Sequence, residues 1–519
     1  MRIAPALAAL AASSMLLLAA TAAAQPPPGP ALAAPQFPAT PLGRAARDLL
    51  DALNGDEAAI PRFISGHLAA DLDRQGLRTC TAGTYEGMLR KLRAQSGGLD
   101  VLDVRGHNEP GTLAARFVSR RGQARLVLEF LESTREPGKL RAIEPHLLVG
   151  PPQAAAWPEG GLDDAGIAAA LDRRIRTLAE QDRFAGVVLV ARGDRVLVHR
   201  GYGMADRERR VPNTPGTLMH TASVGKMFTG VAIGQLVEAG KLRFEDRLAS
   251  VLPEYPDPQA GRLTIHHLLT HTSGVADPFT SPRREPGRSY PTAWDNIRLI
   301  AGTPLEFEPG ARHGYSNGNF AVLAAVIEKL AGLPYGDYVR ERIYKPAGMK
   351  AADPAHYRAL PHALGYAHPP ETDPLGLEPK RPTVETAGEV DLAEASGFGG
   401  IYLTAEDAYL FLKALREGHL LGPALTEEVT RGRVDVAPGA PVRYGYGFYE
   451  IGMWGAPTRG HSGGGGNSGI GAHVEALWDR RDYVIILGNV DLEFARPLTG
   501  DIVGFLSRQP IPAAQPGTR

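Results

Sequence analysis

Two residues separate Ser223 from Lys226 in Thr221-Ala-Ser-Val-Gly-Lys226, and the chain then runs on as Met-Phe-Thr-Gly-Val-Ala-Ile-Gly-Gln-Leu-Val237 with helical apolar spacing. Residues three apart at a helix start share one face, so the hydroxyl and the amine would meet. A serine hydroxyl is a poor nucleophile at neutral pH until a base takes its proton. A lysine kept neutral by burial or by cationic neighbours can be that base. The unpaired N–H groups of the helix N-terminus lie close to the negative charge that would develop. Ser-x-x-Lys alone is a common pairing, met equally by an exposed pair at a helix start, so its weight depends on its company.

That company follows in order: Leu263-Thr-Ile-His-His-Leu-Leu-Thr-His271-Thr-Ser-Gly274, then Phe307 to Phe320 containing Tyr315-Ser-Asn317, and finally Arg459-Gly-His461-Ser-Gly463-Gly464. Together these segments resemble the serine β-lactamase and penicillin-binding-protein superfamily, in its branch of class C β-lactamases, esterases and D-peptidases. The signature of that superfamily is Ser-x-x-Lys, Tyr-x-Asn, and Lys-Thr-Gly or His-x-Gly. The resemblance extends over about residues 165 to 507 and takes in Gly399 to Asp407 and Tyr444-Gly-Tyr-Gly-Phe448.

The resemblance implies that Ser223 is acylated, that Lys226 is its base or electrostatic partner, and that Tyr315 shuttles protons. A tyrosine near its ordinary pKa is too weak an acid to serve as phenolate, so either nearby cations lower it or Lys226 shares the work. Asn317 would bind a substrate amide or orient Lys226. His461, Gly463 and Gly464 would line the substrate cleft, with the N–H groups of Ser223 and Gly464 as oxyanion hole and the glycines of 463–466 admitting substrate close to the backbone. An ammonium in the third motif attracts the carboxylate of penicillins and D-alanyl peptides, whereas His461 is only partly charged near neutral pH. The exchange favours an esterase or amidase over efficient β-lactam hydrolysis.

Other histidines invite a metal reading, since His267 and His271 are four apart and His266 is adjacent. No Glu follows in the His-Glu-x-x-His sense and no third ligand is evident, so neither metal nor cofactor is expected, and His271 is read as a structural hydrogen-bonder. The glycines of 461–471 do not join a strand to a helix as a dinucleotide loop does.

The elements that must position these residues are of mixed type. Residues 162–181 form an amphipathic helix, 184–191 and 195–199 a hairpin, and 471–478 with 483–488 a second hairpin from the other end of the chain. One antiparallel sheet closed by both ends, with an all-helical insertion between, is the expected α+β fold. Before it, helices at 42–53 and 82–94 precede strands at 99–105, 112–119, 124–132 and 139–146, an α+β order that resembles the nuclear-transport-factor-2-like cone in topology alone. This gives an α+β domain at 41–149, a Pro/Gly/Ala linker at 150–161, a hydrolase domain at 162–508 and a frayed tail at 509–519. The first domain is read as a packing or homodimerisation module.

Residues 1–24, Met1-Arg2 followed by an Ala/Leu-rich stretch ending Ala22-Ala-Ala24, have the form of a secretory signal peptide, and 25–40 that of a flexible lead-in. An exported, periplasmic or secreted protein follows, with no stable membrane span. Cys80, the one cysteine, can form no intramolecular disulfide. Lys plus Arg (56) nearly balance Asp plus Glu (57), which excludes the basic excess nucleic acid requires. The resemblance implies that the partner is a small ester, amide or peptide-like molecule. Three readings remain: an esterase or related acyl hydrolase, a D-peptidase or β-lactamase, and a penicillin-binding-like sensor acylated without turnover.

Overall fold

The computed structural model describes residues 37–70, 82–106, 112–121, 125–133, 136–149, 157–158, 160–193, 195–285, 288–352, 362–367, 385–386, 396–436, 441–464 and 468–511. The expected signal peptide, most of the lead-in, Cys80, the linker up to 156, Gly465, Gly466 and the end of the tail lie outside them.

Helices come first: α1 (Pro41–Asn54), α2 (Ala59–His67) and α3 (Ala82–Ser96). Thr40 caps α1 by accepting from the Gly43 N–H, satisfying one of its orphan donors. The strands β1 (Leu99–Gly106), β2 (Thr112–Ser119), β3 (Arg125–Glu132) and β4 (Leu140–Val149) follow as an antiparallel meander. Alternate residues Leu113, Ala115 and Phe117 of β2 meet Leu126, Leu128 and Phe130 of β3 and Leu49 and Leu53 of α1 in one core. Within the linker, the ring of Trp157 stacks 4.2 Å from that of Phe505 and its Nε1 donates to Asp501 over 2.7 Å.

After α4 (Asp164–Glu180), β5 (Gly186–Arg192) and β6 (Arg195–Tyr202) form a hairpin. Near the other end of the chain lie β7 (Val434–Asp435), β8 (Val442–Tyr444), β9 (Tyr449–Ile451), β10 (Thr458–Gly464), β11 (Gly471–Leu477) and β12 (Asp482–Gly488), before the helix of Leu492–Ser507. Among the described residues they make an eight-stranded sheet in the order β7-β8-β9-β10-β11-β12-β5-β6. β12 pairs antiparallel with β5, so the two ends of the region close the sheet. Val188 and Val190 of β5 face α4 and the last helix, while Val187, Leu189 and Ala191 face the helical region. A central strand covered on both faces reads as a continuous apolar run.

The helical region is built on α5 (Gly225–Glu238) and α6 (Asn317–Ala331). Both are buried on nearly every face, as suits helices running through a core. Helix α5 opens on a 3₁₀ turn, Ala222–Val224, so Ser223 precedes the α-helix proper. Among the described residues no helix is long and apolar enough to cross a membrane.

Candidate active site

The site forms where the start of α5, the start of α6 and the strand β10 converge. Ser316 is the N-cap of α6, its Oγ accepting from the Gly318 N–H over 3.0 Å. The cap puts Tyr315 just before the helix and Asn317 at its first position, so both reach back toward α5. His271 holds this entry: its Nδ1 accepts from the Ser316 N–H over 3.2 Å, lies 3.0 Å from Asn319 Nδ2, and its ring lies 4.3 Å from that of Tyr315. The structural part read for His271 is what its contacts show. His271 takes a φ of 55° and Ala222, next to the serine, a φ of 44°. Left-handed backbone at non-glycine residues costs of order 1 kcal/mol and persists where surrounding packing imposes it.

Lys226 Nζ lies 3.1 Å from Ser223 Oγ, 2.7 Å from Asn317 Oδ1 and 2.8 Å from the Phe398 carbonyl. The Tyr315 hydroxyl donates to Ser223 Oγ over 2.9 Å. Burial brings the Lys226 amine down to about 7, against a smaller opposing pull from the carboxylate of Asp277. Two carbonyl-type acceptors fit the two N–H bonds of a neutral amine and leave its lone pair for the Ser223 hydroxyl; all three contacts equally suit an ammonium. Tyr315 moves the other way: burial first, then Tyr449, raises it well above the ordinary phenol value, opposed by its bond to Ser223. Its position against Lys226, whose Nζ lies 4.8 Å from the ring centroid, does not outweigh that rise.

His461 stands on β10 but is buried, with 1% of its surface exposed. Its Nδ1 donates to the Ser462 carbonyl, so Nε2 is the acceptor for the Tyr444 hydroxyl at 3.0 Å. Burial, and then the charge of Lys226, hold the ring down at about 3. The expectation of a partly charged imidazole is thereby corrected: burial keeps the ring neutral, and both nitrogens have partners inside the protein, under Tyr444 of β8 and Tyr449 of β9.

The glycines also meet a packing demand that the sequence reading did not include. A Cβ on Gly463 would sit 1.9 Å from the Thr221 carbonyl oxygen and 3.1 Å from the Ser223 nitrogen. Gly464 has a φ of 125°, and a Cβ there would sit 2.0 Å from the Ile470 carbonyl oxygen. Gly463 thus lets β10 lie flush against the Ser223 turn, and Gly464 lets it lie against the Ile470 carbonyl that precedes β11.

Two partners of the site escaped the sequence reading. Asp277 accepts from the Asn317 backbone N–H at 2.8 Å and from Asn317 Nδ2 at 2.9 Å. The Phe398 carbonyl, the third neighbour of Lys226, belongs to the buried run Ser396–Gly400. The Asp was visible just beyond Thr-Ser-Gly274, but an acid at a turn carries no signal of its own; a backbone carbonyl carries none at all. His266 and His267, weighed as ligands, have other uses: His266 Nδ1 lies 2.9 Å from the Tyr446 hydroxyl, and His267 closes a capping box with Thr264.

Comparison with known proteins agrees with this architecture. The family model described as Beta-lactamase matches residues 171–492. A protein named putative penicillin-binding protein PbpX, from Bacillus subtilis, is 31% identical over 54% of this chain and 65% of its own length. Esterase EstB from Burkholderia gladioli is 31% identical over 55% of this chain and 80% of its own. The crystal structure of a D-amino acid amidase from Ochrobactrum anthropi, in complex with L-phenylalanine amide, shares the fold, with a TM-score of 0.56 at 22% identity over 66% of this chain and 98% of that one. With more than half of its length matched by the family model, and Lys226 and Tyr315 each within hydrogen-bond reach of Ser223 Oγ, the chain belongs to the beta-lactamase family of serine hydrolases.

Proposed function

We propose that this chain is an exported esterase or related acyl hydrolase acting on small, uncharged carbonyl substrates through an acyl-Ser223 intermediate. The observation that carries the reading is the pairing of Ser223 Oγ with Lys226 Nζ at 3.1 Å, the amine being brought down to about 7. A base with a pKa near the working pH combines a populated neutral form with a useful driving force for proton transfer.

Neutral Lys226 takes the Ser223 proton as Oγ adds to the carbonyl carbon. The oxyanion is held by the N–H groups of Ser223 and Gly464. The C–O bond to the leaving alcohol then breaks, and that alcohol takes a proton from Tyr315, which is refilled from Lys226. Water attacks the acyl-Ser223, losing its proton along the same route, and the acid is released with Ser223 regenerated.

The neutral, enclosed His461 supports esters over carboxylate-terminated peptides and penicillins, since no charged third-motif side chain faces the cleft. Similarity to a named esterase supports the same choice. The Ala/Leu-rich start of the chain supports export.

The test is turnover of a short-chain nitrophenyl ester beside that of a penicillin and a peptide ending in D-alanyl-D-alanine, for wild type and Ser223→Ala. Ester hydrolysis lost in the variant, with little turnover of the other two, is the expected result. Faster turnover of the penicillin or the peptide would overturn the esterase reading, and a long-lived acyl adduct without turnover would point to a sensor.

A further inference from the structure

We propose that Asp277 is a positioning residue that locks the side-chain amide of Asn317 in one orientation and through it holds the Lys226 amine on Ser223. The proposal rests on the acyl-Ser223 reading above.

An Asn amide has an acceptor end and a donor end of nearly equal shape, so only its partners decide which way it points. Here one carboxylate decides. Asp277 Oδ2 accepts from both the backbone N–H of Asn317, at 2.8 Å, and its Nδ2, at 2.9 Å. The second bond requires an N–H at that end, so Oδ1 is the end that meets Lys226 Nζ at 2.7 Å. A flipped amide would set its N–H groups against those of Lys226 and its carbonyl oxygen against the carboxylate, two repulsive contacts in place of two attractive ones. Asp277 is itself held: its Oδ1 accepts from the Phe279 N–H at 2.8 Å, closing the turn that follows Gly274. The bonds therefore run from that turn through Asp277 and Asn317 to Lys226 and Ser223.

The lock also bears on the charge of Lys226. The groups facing the amine are Asp277 and His271 from the 271–277 segment, Tyr315 and Asn317 before and at the start of α6, the Phe398 carbonyl, and His461 on β10. Burial keeps both imidazoles neutral and Tyr315 a phenol. Asp277 is therefore the one carboxylate in this set, and it pulls the lysine upward against desolvation. Removing it withdraws that pull and frees the amide to flip, and both changes disfavour the ammonium. The pH at which Lys226 becomes a base should then fall.

The experiment compares wild type, Asp277→Ala, Asn317→Ala and the double variant on a short-chain nitrophenyl ester across pH, each checked for folding by circular dichroism, with Ser223→Ala as control. Asp277→Ala is expected to lower kcat by about 10- to 100-fold with KM changed less than about threefold, and to move the acid limb of kcat/KM to lower pH. In the Asn317→Ala background the same change should cost less than about threefold, because the residue it acts through is gone. Should Asp277→Ala fail to fold, Asp277→Asn, which keeps the shape and removes the charge, is expected to move the limb the same way. A loss that multiplies undiminished in the double variant, or an acid limb that stays in place while kcat falls, overturns the proposal and leaves the hydrolase reading standing. Full turnover by Ser223→Ala would instead remove the hydrolase reading, and the proposal with it.

Discussion

The Tyr444 hydroxyl lies 3.0 Å from His461 Nε2, on the side of the ring opposite the Ser462 carbonyl to which Nδ1 donates. The bond from Nδ1 to the Ser462 carbonyl sets the tautomer of the neutral ring, and burial disfavours a second proton on Nε2. The third-motif position of this chain thus carries a buried, neutral imidazole.

His461→Lys should therefore lower stability and leave turnover of carboxylate-bearing substrates unimproved, because the new charge enters a site that is 1% exposed beside Lys226. A loss of about 3 kcal/mol or more in urea unfolding is expected. Tyr444→Phe, which leaves Nε2 without its donor, should cost about 1–3 kcal/mol. A His461→Lys variant as stable as wild type and faster on such substrates would show that the side chain reaches the cleft.

Ester hydrolysis should rise with pH to a plateau whose acid limb is centred near 7, since Lys226 must lose a proton to accept that of Ser223 and burial brings it down to about 7. Below that limb kcat/KM should drop about tenfold per pH unit, the slope of one titrating group. Lys226→Arg, permanently charged, should lose about 100-fold or more at every pH. A limb near the carboxylate range, or an active arginine variant, would remove Lys226 from the role of base.

Glu475 on β11 is fully buried, lies 3.5 Å from His473 Nδ1, and is pushed by burial up to about 8 from an ordinary 4.5. Its neighbours His473 and Leu477 line the α4 side of the sheet, away from Ser223. Between those two values the folded state holds a proton that the unfolded chain has lost, so this group's contribution falls as pH rises through the window. Glu475→Gln should thus raise the melting temperature near pH 8, change it little near pH 4.5, and leave kcat within about twofold. Equal melting curves at both pH values would show that the carboxyl is solvated or paired.

Gly463→Ala should reduce both stability and turnover, because its methyl would sit 1.9 Å from the Thr221 carbonyl oxygen. Overpacking against backbone costs about 1–3 kcal/mol or more, and the displaced β10 would carry the Gly464 N–H, proposed above as an oxyanion donor, away from Ser223. A loss of kcat of about 100-fold is the expected reading. Wild-type kinetics in that variant would mean that β10 and the Ser223 turn can separate freely.

The amino-acid sequence by itself determined the type and order of the elements at both ends of the sheet. The strand-length apolar runs read at 184–191 and 483–488, found as Gly186–Arg192 and Asp482–Gly488, and the helix read after Ser223 rest on local periodicity, which a linear reading captures. It also marked Ser223, Lys226, Tyr315 and Asn317, since fixed spacings survive in one dimension. What only the tertiary structure decided is the environment of those groups. The descent of the Lys226 amine to about 7 and the neutrality of His461 are consequences of burial, and burial is set by strands and helices distant in sequence. The acceptors that aim Lys226 are a carbonyl from Phe398 and an amide oriented by Asp277, reached across separations of 172 and 91 residues from the lysine in the first case and the second. No local pattern encodes which distant oxygen faces a buried amine, because that is settled only when the chain packs.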